Sequence, residues 1–430
     1  MTAVIGMLNK KGVAIAADSA VTRTRGRDQK VTKNGNKMIR VSDVVPVSVM
    51  ITGNAMFIQN PWDIVVRKYR KERGNIYHAT VEATMRDLLT YISQKDILWN
   101  SANEEIWFAN MVSSFMDKLK WNIDLEAKKT NDKGKIKRPK LFVKETLKSL
   151  KDAQKYYESK NEGAEKYDYE KFKSRLSPIV ENYLNDTEDD SFDSDIIKTI
   201  KDYFNEIHEE LLKALYGYLT FIKGDSSATL VFAGYGKDEI YPSLIAIDIN
   251  EGFDHHINWE ITQKVNIDDK TPAAICPFAQ TDVITALLTG ASGRWLNSMD
   301  REVETLYDPL VFLDEQIEDP FENPEILELK AVESENLSIR RRKMINKMRD
   351  ENKKAWIKDL EEYDVKSMAE LALTLVDLTG LQRILTFQQE GVGGDVDIAV
   401  ITKTDGFTWL NRKSWYHHKN IGGRYGSMGV

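Results

Sequence analysis

Thr2, Asp18, Lys37 and Gly53 are the residues early in this chain whose types and order could do chemistry. A threonine hydroxyl is a poor nucleophile and needs a base beside it. When a threonine is the first residue, its own α-amine, with an ordinary pKa of about 7.7–8.0, stands next to the hydroxyl and titrates close to neutrality. Here that requires loss of Met1, which the small side chain of Thr2 permits, so no propeptide is needed. Each residue alone has a plainer reading. Thr2 is a tolerated residue after an initiator, Asp18 a turn acid at a strand end, Lys37 a charge that blunts a strand edge, and Gly53 turn punctuation. Their joint order carries the weight.

Other chemistry-bearing residues are less organised. His255-His256 and His417-His418 invite a metal reading, but adjacent side chains on a strand point to opposite faces and no Cys or acidic cluster completes either set. The expectation is no metal and no cofactor. Cys276 is the single cysteine; it rules out an intrachain disulfide, fits a reducing compartment, and reads as a small buried hydrophobe. "IRRRKMINK" reads as a solvated helix face rather than a site for an acidic partner.

The elements that must position the four residues follow from patterning. "TAVIGMLNKKGVAIAADSAVT" reads as a strand over 3–8, a turn at Asn9-Lys10-Lys11-Gly12, and a strand over 13–17. In "NKMIRVSDVVPVSVMITGNAMFI" the stretches "MIRV" and "VPVSVMIT" are strands, with Gly53-Asn54 as a turn before a helix start. Two amphipathic helices follow between Asn60 and Ser93. The apolar runs 226–236 and 241–252 read as buried strands, 272–276 as a third, and "TDVITALLTGAS" as a helix capped by Thr281 or Asp282. An apolar helix covers 367–382, and a hairpin over 396–410 turns at Thr404-Asp405-Gly406. Residues 96–224 and 293–365 are charged helical insertions, the first with a loop over 126–140, and 413–430 is a flexible end or inter-subunit arm. The order predicts an α+β fold, a four-layer α/β/β/α sandwich with two long helical insertions.

The formal net charge of −7 argues against a nucleic acid or an anionic membrane as partner, since both reward a basic face. Lys10 and Lys11 interrupt the first apolar stretch, and no run approaches a membrane span, so the expectation is a cytoplasmic protein without a signal peptide.

At these motifs the sequence resembles the N-terminal-nucleophile (Ntn) hydrolases, specifically the proteasome β-subunit and HslV peptidase group. The resemblance is carried by Thr2, by "GVAIAADSAVT" with Asp18, "NKMIRV" with Lys37, "ITGNA" with Gly53, "LVFAGYG" and "YPSLIAIDINEG", and "GGDVDIAVITKTDGF". It covers 1–95, 225–292 and 366–412, about half the chain. It implies that Thr2 Oγ attacks a peptide carbonyl while the α-amine, directly or through a water, takes the proton. Lys37 then lowers the hydroxyl's pKa, Asp18 orients Lys37, and the Gly53 N–H donates to the developing oxyanion. It further implies a peptide or protein substrate, a homo-oligomer packed through helices such as "NPWDIVVRKYRKERG", and an unfoldase or regulatory partner. The sequence departs from the family in two places. The family's Gly-Ser-Gly, whose serine supports the amine, is matched to Cys276-Pro277-Phe278, and its Asp and Ser before the last strands fall unmatched near Gln389 to Val392. Lys37 also comes a few residues late, a shift that a longer loop "TRTRGRDQKVTKNGN" absorbs. Two alternatives stand beside the peptidase: a catalytically inactive assembly protein of the same fold, and an Ntn amidase acting on a small molecule. The Asp18 and Lys37 pair favours catalysis, because a buried ion pair is a costly way to stabilise a core. The unmatched residues favour the inactive relative.

Overall fold

Strands β1 (Ala3–Asn9) and β2 (Gly12–Asp18) are buried at every residue, which is why their sequence is apolar without alternation. The computed structural model describes residues 2–25, 28–32, 35–129, 148, 168–186, 204–221, 227–249, 252–292, 295, 298, 324–385 and 394–413. Successive side chains of a strand point to opposite faces. Ala3, Ile5 and Met7 accordingly enter one hydrophobic cluster, and Val4 and Leu8 another.

After β2 come the hairpin β3 (Val21–Arg25) and β4 (Asp28–Thr32), then β5 (Met38–Arg40), β6 (Val47–Gly53) and the short pair β7 (Met56–Phe57) and β8 (Asn60–Pro61). Helices α1 (Trp62–Arg73), α2 (Val81–Gln94), α3 (Ser101–Lys129), α4 (Tyr169–Asp186) and α5 (Phe204–Phe221) follow. Next are β9 (Ala228–Gly234), β10 (Ser243–Ile249), β11 (Trp259–Asn266) and β12 (Ala273–Ala279). The chain continues through α6 (Asp282–Thr289), α7 (Pro324–Glu362) and α8 (Val365–Leu385) to β13 (Val396–Thr402) and β14 (Gly406–Asn411). The organisation is mixed α+β, with two antiparallel five-stranded sheets of order β12-β1-β2-β13-β14 and β11-β10-β9-β6-β5.

Three apolar clusters hold the two sheets and the helices packed on them together. Val65, Tyr69, Met85 and Leu88 of α1 and α2 pack on Val47, Val49, Leu230 and Phe232 of the second sheet. Val4, Val13 and Ile15 of the first sheet share a cluster with Met50, Val231 and Leu244 of the second. Met368, Ala372 and Val376 of α8 cover the other face of the first sheet, on Ile5, Ala16 and Ile398. Burial of this kind is worth about 1.5–3 kcal/mol per large aliphatic side chain. The insertion carrying α3 to α5 is anchored on the loop between β10 and β11, where Phe253 stacks on Trp107 and packs at a tilt against Phe108 and Phe172. Among the described residues no helix is long and apolar enough to cross a membrane.

Several local expectations are corrected. Gly53-Asn54 does not lead into a helix: β7 and β8 form a tight turn with left-handed Ile58 and Gln59 (φ 45° and 63°), and α1 starts only after Pro61. Part of the loop before Lys37 is the β3–β4 hairpin, paired from Val21–Thr32 to Arg25–Asp28. Strand β11 went unread because it is polar and half exposed, as an edge strand can be. Helix α3 runs through Lys129, into the segment read as a loop, and 130–140 lie outside the described residues. The third strand extends past Cys276 to Ala279.

Candidate active site

Asp18 closes β2, where the register pairs Ala17 with Val4 on one side and Asp18 with Val396 on the other. The carboxylate is therefore set between the first residues of β1 and the first residues of β13, and Asp18 is only 1% exposed. Its Oδ1 accepts the Ala3 N–H at 2.9 Å and the Lys37 ammonium at 2.6 Å, while Oδ2 accepts the Ala20 N–H at 3.3 Å. One oxygen thus holds both the amide that follows Thr2 and the Lys37 side chain. The Thr2 carbonyl accepts the Gln280 N–H at 3.1 Å, so the peptide unit joining Thr2 to Ala3 is held at both its C=O and its N–H.

Lys37 lies directly before β5, and its carbonyl accepts the Ile51 N–H of β6 at 2.8 Å. Gly53 ends that same strand two residues later. Its φ of +75° is left-handed, and a Cβ there would stand 2.4 Å from the Ser227 carbonyl oxygen, so only glycine fits. The Asp18 carboxylate therefore links two segments of the candidate site, taking the backbone N–H of Ala3, the residue after Thr2, and the side-chain ammonium of Lys37. Gly53 is reached through the β5–β6 pairing and is exposed at the strand end.

The electrostatics centre on Lys37, which is 6% exposed. Burial lowers its pKa below the ordinary lysine value, with Asp18 pulling the other way through charge and hydrogen bond. A second lysine, Lys413, lowers it further, and Asp397 raises it. These two were missed by the sequence reading. Lys413 falls in the segment that the sequence reads as a tail, and the only local signal for Asp397 is that it is one acid inside the otherwise apolar "VDIAVI". Beside Asp18, the Ser19 hydroxyl is buried and has no hydrogen-bond partner among the described residues.

Cys276-Pro277-Phe278 is not the segment that meets Thr2. These residues are interior to β12, opposite Gly6, Ile5 and Val4. Pro277 is tolerated because β12 is an edge strand, where a missing N–H costs no ladder bond. The segment beside the start of β1 is Ala279-Gln280-Thr281: Ala279 pairs with Ala3 and is left-handed (φ 64°), and the Thr281 hydroxyl makes no cap bond to α6. Gln389 to Val392 lie outside the described residues.

His255 sits in a turn, not a strand, with φ 65° and Nδ1 2.8 Å from the Ser93 carbonyl oxygen. Among the described residues no group of three His, Cys, Asp or Glu could hold a metal ion, and His417-His418 lie outside them. Burial pushes the Cys276 thiol up to about 12, which makes it an inert core group and not a nucleophile. No protein-family model and no curated protein matches this chain.

Proposed function

We propose that the chain is a cytoplasmic Ntn hydrolase of the proteasome β-subunit and HslV kind, a threonine peptidase or amidase with the four-layer α/β/β/α sandwich as its core. The observation that carries this reading is the double hydrogen bond at Asp18 Oδ1, from the Ala3 N–H and from Lys37 Nζ. It ties the residue after the nucleophile to the cation that would activate it.

With Met1 removed, the Thr2 α-amine takes the hydroxyl proton as Oγ bonds to the substrate carbonyl carbon. The Lys37 ammonium favours the developing alkoxide, and the Gly53 N–H donates to the oxyanion. The C–N bond then breaks, the leaving amine takes the proton from the α-ammonium, and an ester on Thr2 remains. Water, deprotonated by the same amine, hydrolyses that ester. Self-association is part of the proposal; α1 turns Val65, Val66 and Tyr69 inward and leaves Ile64 on its outer face.

The test compares untagged protein with protein carrying an uncleavable N-terminal tag, by intact mass and by labelling with a peptide epoxyketone. This electrophile needs a hydroxyl and a free amine on one residue to close its ring adduct. Loss of one methionine and one adduct are expected for the untagged protein, and no adduct for the tagged one. Equal labelling of both would eliminate the mechanism and leave the inactive assembly protein as the better account.

A further inference from the structure

Lys413 and Asp397 form a second buried lysine–aspartate pair beside the first. Lys413 Nζ lies 2.9 Å from Asp397 Oδ2, its backbone N–H donates to Asp397 Oδ1 at 2.8 Å, and the two side chains are 6% and 5% exposed. The same ammonium donates to the Gly35 carbonyl. Gly35 in turn donates its N–H to the Ser19 carbonyl at 2.9 Å. The short segment that delivers Lys37 is therefore tied at Gly35 to the residue after Asp18 and to Lys413. The two acids come from adjacent strands: Asp397 is opposite Ala17, one register step from Asp18 opposite Val396.

We propose that Lys413, held by Asp397, is a positioning residue for Lys37, fixing the Gly35–Lys37 segment against the end of β2 and placing a second positive charge beside the Lys37 ammonium. This rests on the reading that Lys37 activates Thr2. A buried pair whose only task is stability is poorly repaid, since desolvation offsets most of the attraction. Here the lysine also spans to a carbonyl on another segment, so its geometry is defined by three acceptor atoms. The charged groups acting on Lys37 are Asp18, Lys413 and Asp397. Lys413 favours its neutral form, and both acids favour its charged form.

Opposite effects of the two partners give a test that a merely structural role would not pass. The titration of Lys37 is followed by NMR in protein carrying 13C-labelled lysine, in wild type, Lys413→Met and Asp397→Asn. The Lys37 midpoint is expected to rise in Lys413→Met and to fall in Asp397→Asn. Midpoints that stay in place, or that move in the same direction, overturn the proposal. If Lys413→Met does not fold, the near-isosteric Asp397→Asn decides alone: a fall supports the proposal and no change sinks it. In turnover, Lys413→Met is expected to lower kcat by about ten- to a hundred-fold with KM little changed, as for a misplaced catalytic group. The titration reads Lys37 whether or not substrate is hydrolysed, so wild type without activity defeats the proposed function but not the clamp. Activity with unmoved midpoints defeats the clamp alone.

Discussion

Asp18 Oδ1 stands 2.6 Å from Lys37 Nζ, with both side chains shielded from water and the Ala3 N–H on the same oxygen at 2.9 Å. Breaking such a pair leaves a buried charge without its partner, which costs about 3–5 kcal/mol, whereas replacing both members by apolar groups is often close to neutral. Asp18→Ala is therefore expected to lower the urea unfolding free energy by about that amount. Asp18→Leu/Lys37→Met should recover most of it while remaining without activity. A single Asp18→Ala as stable as wild type would show that the pair is not desolvated.

Lys37 also fixes a pH dependence of stability. Its folded pKa is lowered from the ordinary 10.5, chiefly by burial, so between the folded value and 10.5 the unfolded chain binds the proton and the folded one does not. Stability rises with pH wherever the unfolded state holds more protons. Wild type should accordingly gain stability relative to Lys37→Met as the pH climbs toward 10.5, and the two should run parallel below the folded value. Urea titrations at a series of alkaline pH values check this; a gap that moves the other way contradicts the assignment of burial as the dominant cause.

Gly53→Ala places a methyl group against the Ser227 carbonyl in a left-handed backbone. A strained non-glycine residue costs of order 1–3 kcal/mol, and the steric overlap adds to it. The expected outcome is a lowered denaturation midpoint together with weaker epoxyketone labelling, because relief of the overlap must shift the end of β6. Unchanged labelling in a destabilised variant would keep the glycine as a structural necessity and remove it from the oxyanion assignment.

Cys276 supplies a control on the core. The thiol is buried, its pKa is pushed up to about 12, and Gln263 Nε2 donates to Sγ at 3.3 Å. Native protein at neutral pH should not react with an aromatic disulfide reagent, and one thiol per chain should appear on unfolding. Fast reaction of the native protein would mean that β12 opens away from β1.

What could be read in the sequence, and what could not, follows from the physics of each element. The continuous apolar runs of β1, β2, β9 and β10 identify strands covered on both faces, and the structure buries them so. Thr2, Asp18 and Lys37 could be named because their spacing resembles a family pattern, and the Asp18 carboxylate takes hydrogen bonds from Lys37 and from the Ala3 N–H, one residue after Thr2. Strand β11 carries only weak alternation and stayed hidden. The apolar run over 272–276 stops before Pro277, while β12 continues through it to Ala279 because an edge strand tolerates a proline. Lys413 could not be found at all: nothing local marks a lysine after β14 as buried, and its partner Asp397 lies across a hairpin whose register only the structure gives.

The last prediction concerns Thr2 itself. The proposed mechanism asks two things of one residue, a hydroxyl that attacks and an amine that takes its proton, and it asks Lys37 for a compact cation at a fixed distance. Thr2→Ala removes the hydroxyl and leaves the amine, so a folded protein without turnover is expected. Thr2→Ser keeps both groups and should retain part of the activity, reduced because serine lacks the methyl that restricts its rotamers. Lys37→Arg should not restore what Lys37→Ala loses, since the planar guanidinium cannot occupy a site shaped for an ammonium 2.6 Å from Asp18 Oδ1. The variants are compared on one fluorogenic peptide panel, with far-UV circular dichroism as the check on folding. Hydrolysis by Thr2→Ala at the wild-type rate would place the nucleophile elsewhere in the chain, and full rescue by arginine would reduce Lys37 to a generic positive charge.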